Sequence, residues 1–233
     1  TELGVGLPHG IHARPAARIV NELRAFAATV TLSTSTASAV PASSMSRLMG
    51  LGIEHGDRVR IRATGKDAHA ALSALIDILS SQVVEAEIAP AVIRVRPEAS
   101  ATLPANCFAG VTAAPGIALG PAFVLRNRTI SVPRHVESAE LEILRLDQAL
   151  RATRKQLAGD VDAAAHAQRE IYAAHQTLLD DQDLVEAAIA FISSGGNAGQ
   201  AWRHVIENQV AVIAALDNRR LQERVNDLKD IEM

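Results

Sequence analysis

The stretch Gly10-Ile11-His12-Ala13-Arg14-Pro15-Ala16-Ala17 decides how this chain is read. Pro15 opens an Ala-rich run in which Ala16, Ile19, Val20, Leu23 and Phe26 follow the i, i+3, i+4 spacing of an amphipathic helix. Proline fits the first turn of such a helix, where its missing N–H leaves no bond unmade. The residues just before it then present backbone N–H groups at the positive end of the helix dipole, which makes an anion site. Ala13 and Arg14 occupy that place, and the Arg14 guanidinium adds a planar fork of donors matched to phosphate oxygens. Beside them stands His12. A neutral imidazole is a competent nucleophile, and its N–P bond is labile enough to pass the group on. The charge of about −2 on a phosphoryl group is partly offset by the helix terminus and Arg14. Gly10 is expected to give the backbone the freedom to turn the ring outward.

Two simpler readings compete. A histidine near a helix start is often only a cap, but the anion-binding terminus, the adjacent arginine and the bracketing Gly and Pro together favour chemistry. His9 and His12 could bind a metal only if both side chains converged, and no neighbouring Cys or carboxylate completes a shell. No metal site is expected.

Outward from this loop, the first part of the chain alternates between two periods. Leu3 to Leu7 alternates as a short strand, Thr29 to Thr34 reads as a second, and Ser35 to Val40 as a weaker third. Ser44 to Leu51 is a short helix ending at Gly50 and Gly52, and Asp57 to Ala63 is a strand with one wet face. Lys66 to Gln82 places Ala68, Leu72, Leu75, Ile76 and Leu79 on one helical face. The order is βαββαβα, an α+β layer of helices on an antiparallel sheet. Residues 85–107 lose this periodicity around Pro90, Pro97 and Pro104 and read as a linker, with Ile93 to Arg96 as a possible extra strand. Residues 108–127 form a Gly/Ala/Pro-punctuated extended segment.

Everything after Pro133 reads as helical. Ser138 is expected to cap a helix with Ile143, Leu146, Leu150 and Leu157 on one face. A second helix is expected from about Asp160 to Leu179. Asp183 to Glu186 reads as a capping box for a third, which stops at Gly195-Gly196. Asn197 with Gln200 caps a fourth, and Leu221, Val225 and Leu228 mark a fifth. His166 and His175 fall mid-helix and read as surface or packing residues.

Composition narrows the classes. The 233 residues allow two modest domains, and the 48% hydrophobic content with only 3% aromatic means an Ala/Val/Leu/Ile core. A net charge of −3 gives no basic footprint for nucleic acid. Cys107 is the only cysteine, which excludes an internal disulfide and fits a reducing compartment. The longest strongly apolar run, Val210 to Leu216, is too short to span a bilayer, and no signal peptide is visible. A cytoplasmic location is expected. The missing initiator Met and the abrupt end at Met233 suggest a piece of a longer chain.

Gly10 to Ala16 resembles the active-site signature of HPr, the phosphocarrier of the phosphoenolpyruvate-dependent sugar phosphotransferase system. The βαββαβα order is similar to that family over residues 1–84, which implies an HPr-like open-faced sandwich followed by an all-α helical bundle. The resemblance implies that His12 takes the phosphoryl group on its δ nitrogen, that Arg14 assists, and that the Ala13 and Arg14 backbone binds phosphate. Ile11 stands where Leu is more usual. Ser43 to Gly52 resembles the second HPr helix. Ser44 aligns with a serine that a regulatory kinase phosphorylates in some bacteria, although an N-cap role accounts for it as well. Met45, Arg47, Leu48 and Met49 lie on the surface that docks partners in that family; packing against the sheet is the plainer reading for the apolar three.

Phe108 to Gly120 resembles the opening strand of enzyme I, the phosphoryl donor to HPr. The helices after Pro133, with His175 to Asp181 among them, are similar to the enzyme I subdomain that grips HPr. Residues 108–233 would be this segment, with the bundle over 134–233. The Gly-rich Ser-His motif of the enzyme I active site is absent from the sequence, as is the barrel that holds phosphoenolpyruvate with Mg2+, so no cofactor is expected here. The fused order resembles multiphosphoryl transfer proteins, and also the phosphotransfer subunit of dihydroxyacetone kinase. The implied partners are enzyme I as donor and a sugar-specific IIA domain as acceptor, without nucleic acid or membrane insertion. A docking or regulatory module without catalysis stays open as an alternative.

Overall fold

The computed structural model describes residues 1–81, 119–121, 135–163 and 166–216, apart from the side chains of residues 163–167. Backbone contacts gather the described residues of 1–81 and 135–216 into one compact unit. The expected linker at 85–107, nearly all of the segment at 108–127, Cys107 and the helical pattern at Leu221 to Leu228 lie outside the described residues.

The N-terminal part runs β1 (Glu2–Gly4), α1 (Ala13–Leu23), β2 (Ala28–Ser33), β3 (Val40–Pro41), α2 (Met45–Gly50), β4 (Arg58–Gly65) and α3 (Ala68–Ser80). This is the βαββαβα order read from the sequence. The four strands form one antiparallel sheet in the order β1-β4-β2-β3. Strand β4 alternates as expected, with Val59 and Ile61 buried and Arg58, Arg60 and Arg62 exposed. Its Ile61 lies opposite buried Leu32 of β2, so both strands turn their apolar faces to Ile19, Leu75 and Leu79 in one core.

Two strands are shorter than their alternation suggests. Strand β1 stops at Gly4 because the Val5 N–H turns to the Asp57 carbonyl at 2.9 Å and that of Gly6 to Leu79 at 2.7 Å. Strand β3 keeps only Val40 of the expected stretch and adds Pro41. Upstream, the Thr34 hydroxyl accepts the Thr36 and Ala37 N–H groups in a local turn that takes the backbone away from the ladder.

The second part holds α4 (Ala139–Ala163), α5 (His166–Leu179), α6 (Gln182–Ser193) and α7 (Ala198–Ala214). Leu146 and Leu150 of the expected α4 stripe are buried with Leu178, Leu184, Ile192 and Ile206. Three details differ from the sequence reading. Helix α4 continues past Asp160 to Ala163, His166 opens α5 instead of lying within a helix, and the cap of α6 is Asp181, whose carboxylate accepts the Asp183 N–H at 3.1 Å. Asn197 and Gln200 do form the capping box of α7. A second cap comes from afar: Glu142 of α4, 2% exposed, accepts the Ala198 N–H at 2.9 Å and an Arg145 guanidinium N–H at 2.7 Å. These bonds hold the Glu142 carboxyl below its usual value, the Ala198 amide foremost. His175 is a packing residue, buried and edge-on to Tyr172. Among the described residues no helix is long and apolar enough to cross a membrane.

Candidate functional site

His12 is the N-cap of α1, with extended backbone, and its side chain makes no capping bond. Its carbonyl accepts the Ala16 N–H at 2.9 Å, the first bond of the helical ladder. The amides of Ala13 and Arg14 precede that bond and open the helix, where the dipole favours an anion. Pro15 is buried in the first turn, as its covalent geometry allows.

The loop before the helix is fixed by contact with residue 53. Ile11, fully buried, donates its N–H to the Ile53 carbonyl at 2.9 Å. Gly10 has φ of +66°, and a Cβ there would strike the same carbonyl. Glycine is therefore needed for close backbone approach as well as for the turn. His12 itself is only 6% exposed. Helix α1 packs against α5, and the Arg14 guanidinium beside the histidine reaches Glu170 of α5 at 3.5 Å.

Ser44 caps α2 by accepting the Arg47 N–H at 3.3 Å, which is the capping role the sequence allowed for it. It also does something the sequence did not disclose. Ser44 is 4% exposed, and its hydroxyl lies 3.1 Å from both carboxylate oxygens of Asp181. Asp181, 2% exposed, further accepts the Ser46 N–H at 2.7 Å. The start of α2 and the start of α6 thus share one carboxylate. The remaining polar contacts extend this face: Asn21 donates to the Thr177 hydroxyl at 2.9 Å, and Gln209 to the Ser46 carbonyl at 2.8 Å. Three ion pairs run Arg14–Glu170, Arg24–Asp180 and Arg47–Asp183, each with its arginine in the N-terminal part.

Arg47, expected to dock a partner, therefore meets the helices of its own chain. Met45, Leu48 and Met49 are all at most 3% exposed and lie in the continuous apolar core, not in an open cluster. The pairings of Glu170, Thr177, Asp181 and Gln209 were not legible in the sequence, because each partner is more than a hundred positions away. Among the described residues no three His, Cys, Asp or Glu side chains converge as a metal site would require.

An open-faced sandwich with a histidine at an anion-binding helix start, held by a helical bundle, defines a phosphoryl-carrier class of protein. Residues 1–81 match the family model of the PTS HPr component phosphorylation site, and residues 109–224 match that of the PEP-utilising enzyme, N-terminal. The chain belongs to the HPr phosphocarrier family, here joined to the N-terminal segment of a PEP-utilising enzyme. The phosphocarrier protein HPr of Haloferax volcanii is 48% identical over 31% of this chain and 82% of its own length. A multiphosphoryl transfer protein of Xanthomonas campestris pv. campestris is 29% identical, matching 99% of this chain and 28% of its own. The phosphoryl donor subunit of the PEP-dependent dihydroxyacetone kinase of Klebsiella michiganensis is 27% identical, matching 96% of this chain and 45% of its own. The chain thus spans under a third of the first of these two long relatives and under half of the second.

Proposed function

We propose that His12 carries a phosphoryl group from the phosphohistidine of an enzyme I-type donor to a histidine of a IIA-type acceptor in sugar uptake. In each transfer an imidazole nitrogen lone pair forms the new N–P bond as the old one breaks, and the departing imidazole keeps its electron pair. The family resemblance assigns this to the δ nitrogen of His12. The observation that carries the proposal is the place of His12 at the N-cap of α1, next to the Ala13 and Arg14 amides and the Arg14 guanidinium. Those groups would hold the phosphoryl oxygens. Residues 1–84 would form the carrier domain and residues 108–233 the donor-side segment, with 85–107 between them. A cytoplasmic location belongs to this reading, and the single cysteine supports it.

Ser44 enters as a regulatory position that can be modified only when the helices are released. A dianionic phosphate on it would face the Asp181 carboxylate, 3.1 Å from the hydroxyl. Met45, Arg47, Leu48 and Met49 would serve the same docking face. The match to the dihydroxyacetone kinase subunit supports a second acceptor, which a transfer assay with each acceptor distinguishes.

Incubation with phosphoenolpyruvate and a complete enzyme I tests the carrier role. One acid-labile phosphate per chain is expected, and none in His12→Ala. Undiminished labelling of that variant would overturn the proposal.

A further inference from the structure

We infer that the open face of the sheet, across from the helices, is a docking surface for an extended acidic peptide of a partner protein. Strand β4 lies inside the sheet, between β1 and β2. Its Val59 and Ile61 join the core, so Arg58, Arg60 and Arg62 project from the opposite face, where all three are exposed. Residues paired across an antiparallel ladder share a face. The register therefore sets Glu2 of β1 and Ser33 of β2 on either side of Arg60, and Thr31 beside Arg62. Glu2 is the only acidic residue in the four strands. It accepts an Arg60 guanidinium N–H at 2.7 Å. That bond, with the charges of Arg60 and Arg58, holds the Glu2 carboxyl below its ordinary value although the residue is exposed. One carboxylate thus already sits on the row, with an arginine to each side of its partner.

Spacing, and what the face lacks, define the occupant. Alternate residues of a strand stand about 6.8 Å apart, so the three arginines form a row with that repeat. An extended peptide with an acidic residue at every second position carries the same repeat along one side. Its carboxylates fall opposite the arginines in register, and each can take a bidentate bond from a guanidinium. The Thr31 and Ser33 hydroxyls border the row as further donors. A single-stranded nucleic acid would call for aromatic side chains on which its bases stack, and the four strands contain none. A bilayer would call for apolar side chains that enter it, and on this face β2 and β4 present only arginines and hydroxyls. Helix α1, which His12 opens, packs on the other side of the sheet, so the inference does not rest on the carrier reading.

The test is fluorescence anisotropy of labelled peptides titrated with the full chain at low salt. The probe is a dodecapeptide that alternates Glu and Thr. Its control is a Glu-Thr-Thr repeat with the same number of glutamates, which brings only one of them at a time over the row. The alternating peptide should bind roughly tenfold more tightly than the control. Arg58→Thr combined with Arg62→Thr keeps the Arg60–Glu2 pair and should weaken binding by about the same factor at an unchanged thermal midpoint. Arg151→Thr, on α4, should leave binding as it is. At about 1 M salt, where the Debye length is about 3 Å, the complex should be lost. No binding of the alternating peptide, or equal affinity for the two peptides, would overturn the proposal, and so would equal affinity of wild type and R58T/R62T. Tighter binding of an oligothymidylate or of phosphatidylserine vesicles than of the alternating peptide would overturn it as well.

Discussion

Gly10 shows how the site depends on single residues. With φ of +66° and the Ile53 carbonyl where a Cβ would sit, it has room for no side chain. Gly10→Ala should destabilise the N-terminal part by about 2 kcal/mol or more, read as a lower denaturant midpoint at unchanged slope. Arg14 tests the chemistry instead of the fold. Arg14→Ala should slow phosphoryl uptake on the order of a hundredfold while the label stays on His12; a label that moved to another histidine would remove Arg14 and its neighbour from the account. His12, Arg14 and Gly10 were all legible in the sequence because their chemistry is local. The pairing of Arg14 with Glu170 of α5 was not, since the two lie 156 positions apart.

At the scale of elements, the caps decide where helices begin and which helices belong together. Asn197→Ala should cost about 1 kcal/mol through the start of α7, measured by thermal unfolding. Glu142 gives a pH signature. Its carboxyl is held below the ordinary value of 4.5 by the Ala198 amide, Glu137 N–H and Arg145 against the opposing effect of burial. A lowered folded value means the stabilisation is complete above the unfolded value and is lost as pH falls through the folded one. The wild type should therefore lose stability below about pH 4.5, and Glu142→Gln should flatten that loss. An identical acid profile for the two proteins would contradict this role. The helices themselves were legible from period and cap residues, and the Asn197–Gln200 box was read correctly. The α6 cap was misplaced by two residues because Asp183 offers the same local pattern, and only the bond from its own N–H to Asp181 separates them.

At the scale of the molecule, the sequence divides into a carrier-like part and a helical part, and both family matches follow that division. What it left hidden is the face between residues 1–81 and 135–216, built from pairs such as Ser44–Asp181 and Arg47–Asp183 that no spacing rule connects. The exposed ion pairs there are each worth about 0.2–1 kcal/mol and are screened by salt, whereas the buried Asp181 bonds are not. Raising the ionic strength should therefore loosen the face only in part, and D181N should do more than molar salt.

The central claim is that His12 is the phosphorylated residue. Its most direct test is to label the chain with phosphoenolpyruvate and a complete enzyme I, then locate the phosphate by heteronuclear NMR of 15N-histidine protein at alkaline pH. The account predicts a single phosphohistidine, at His12 and on its δ nitrogen. A phosphate found instead on His9, His55 or His175, with His12 unmodified, would contradict it.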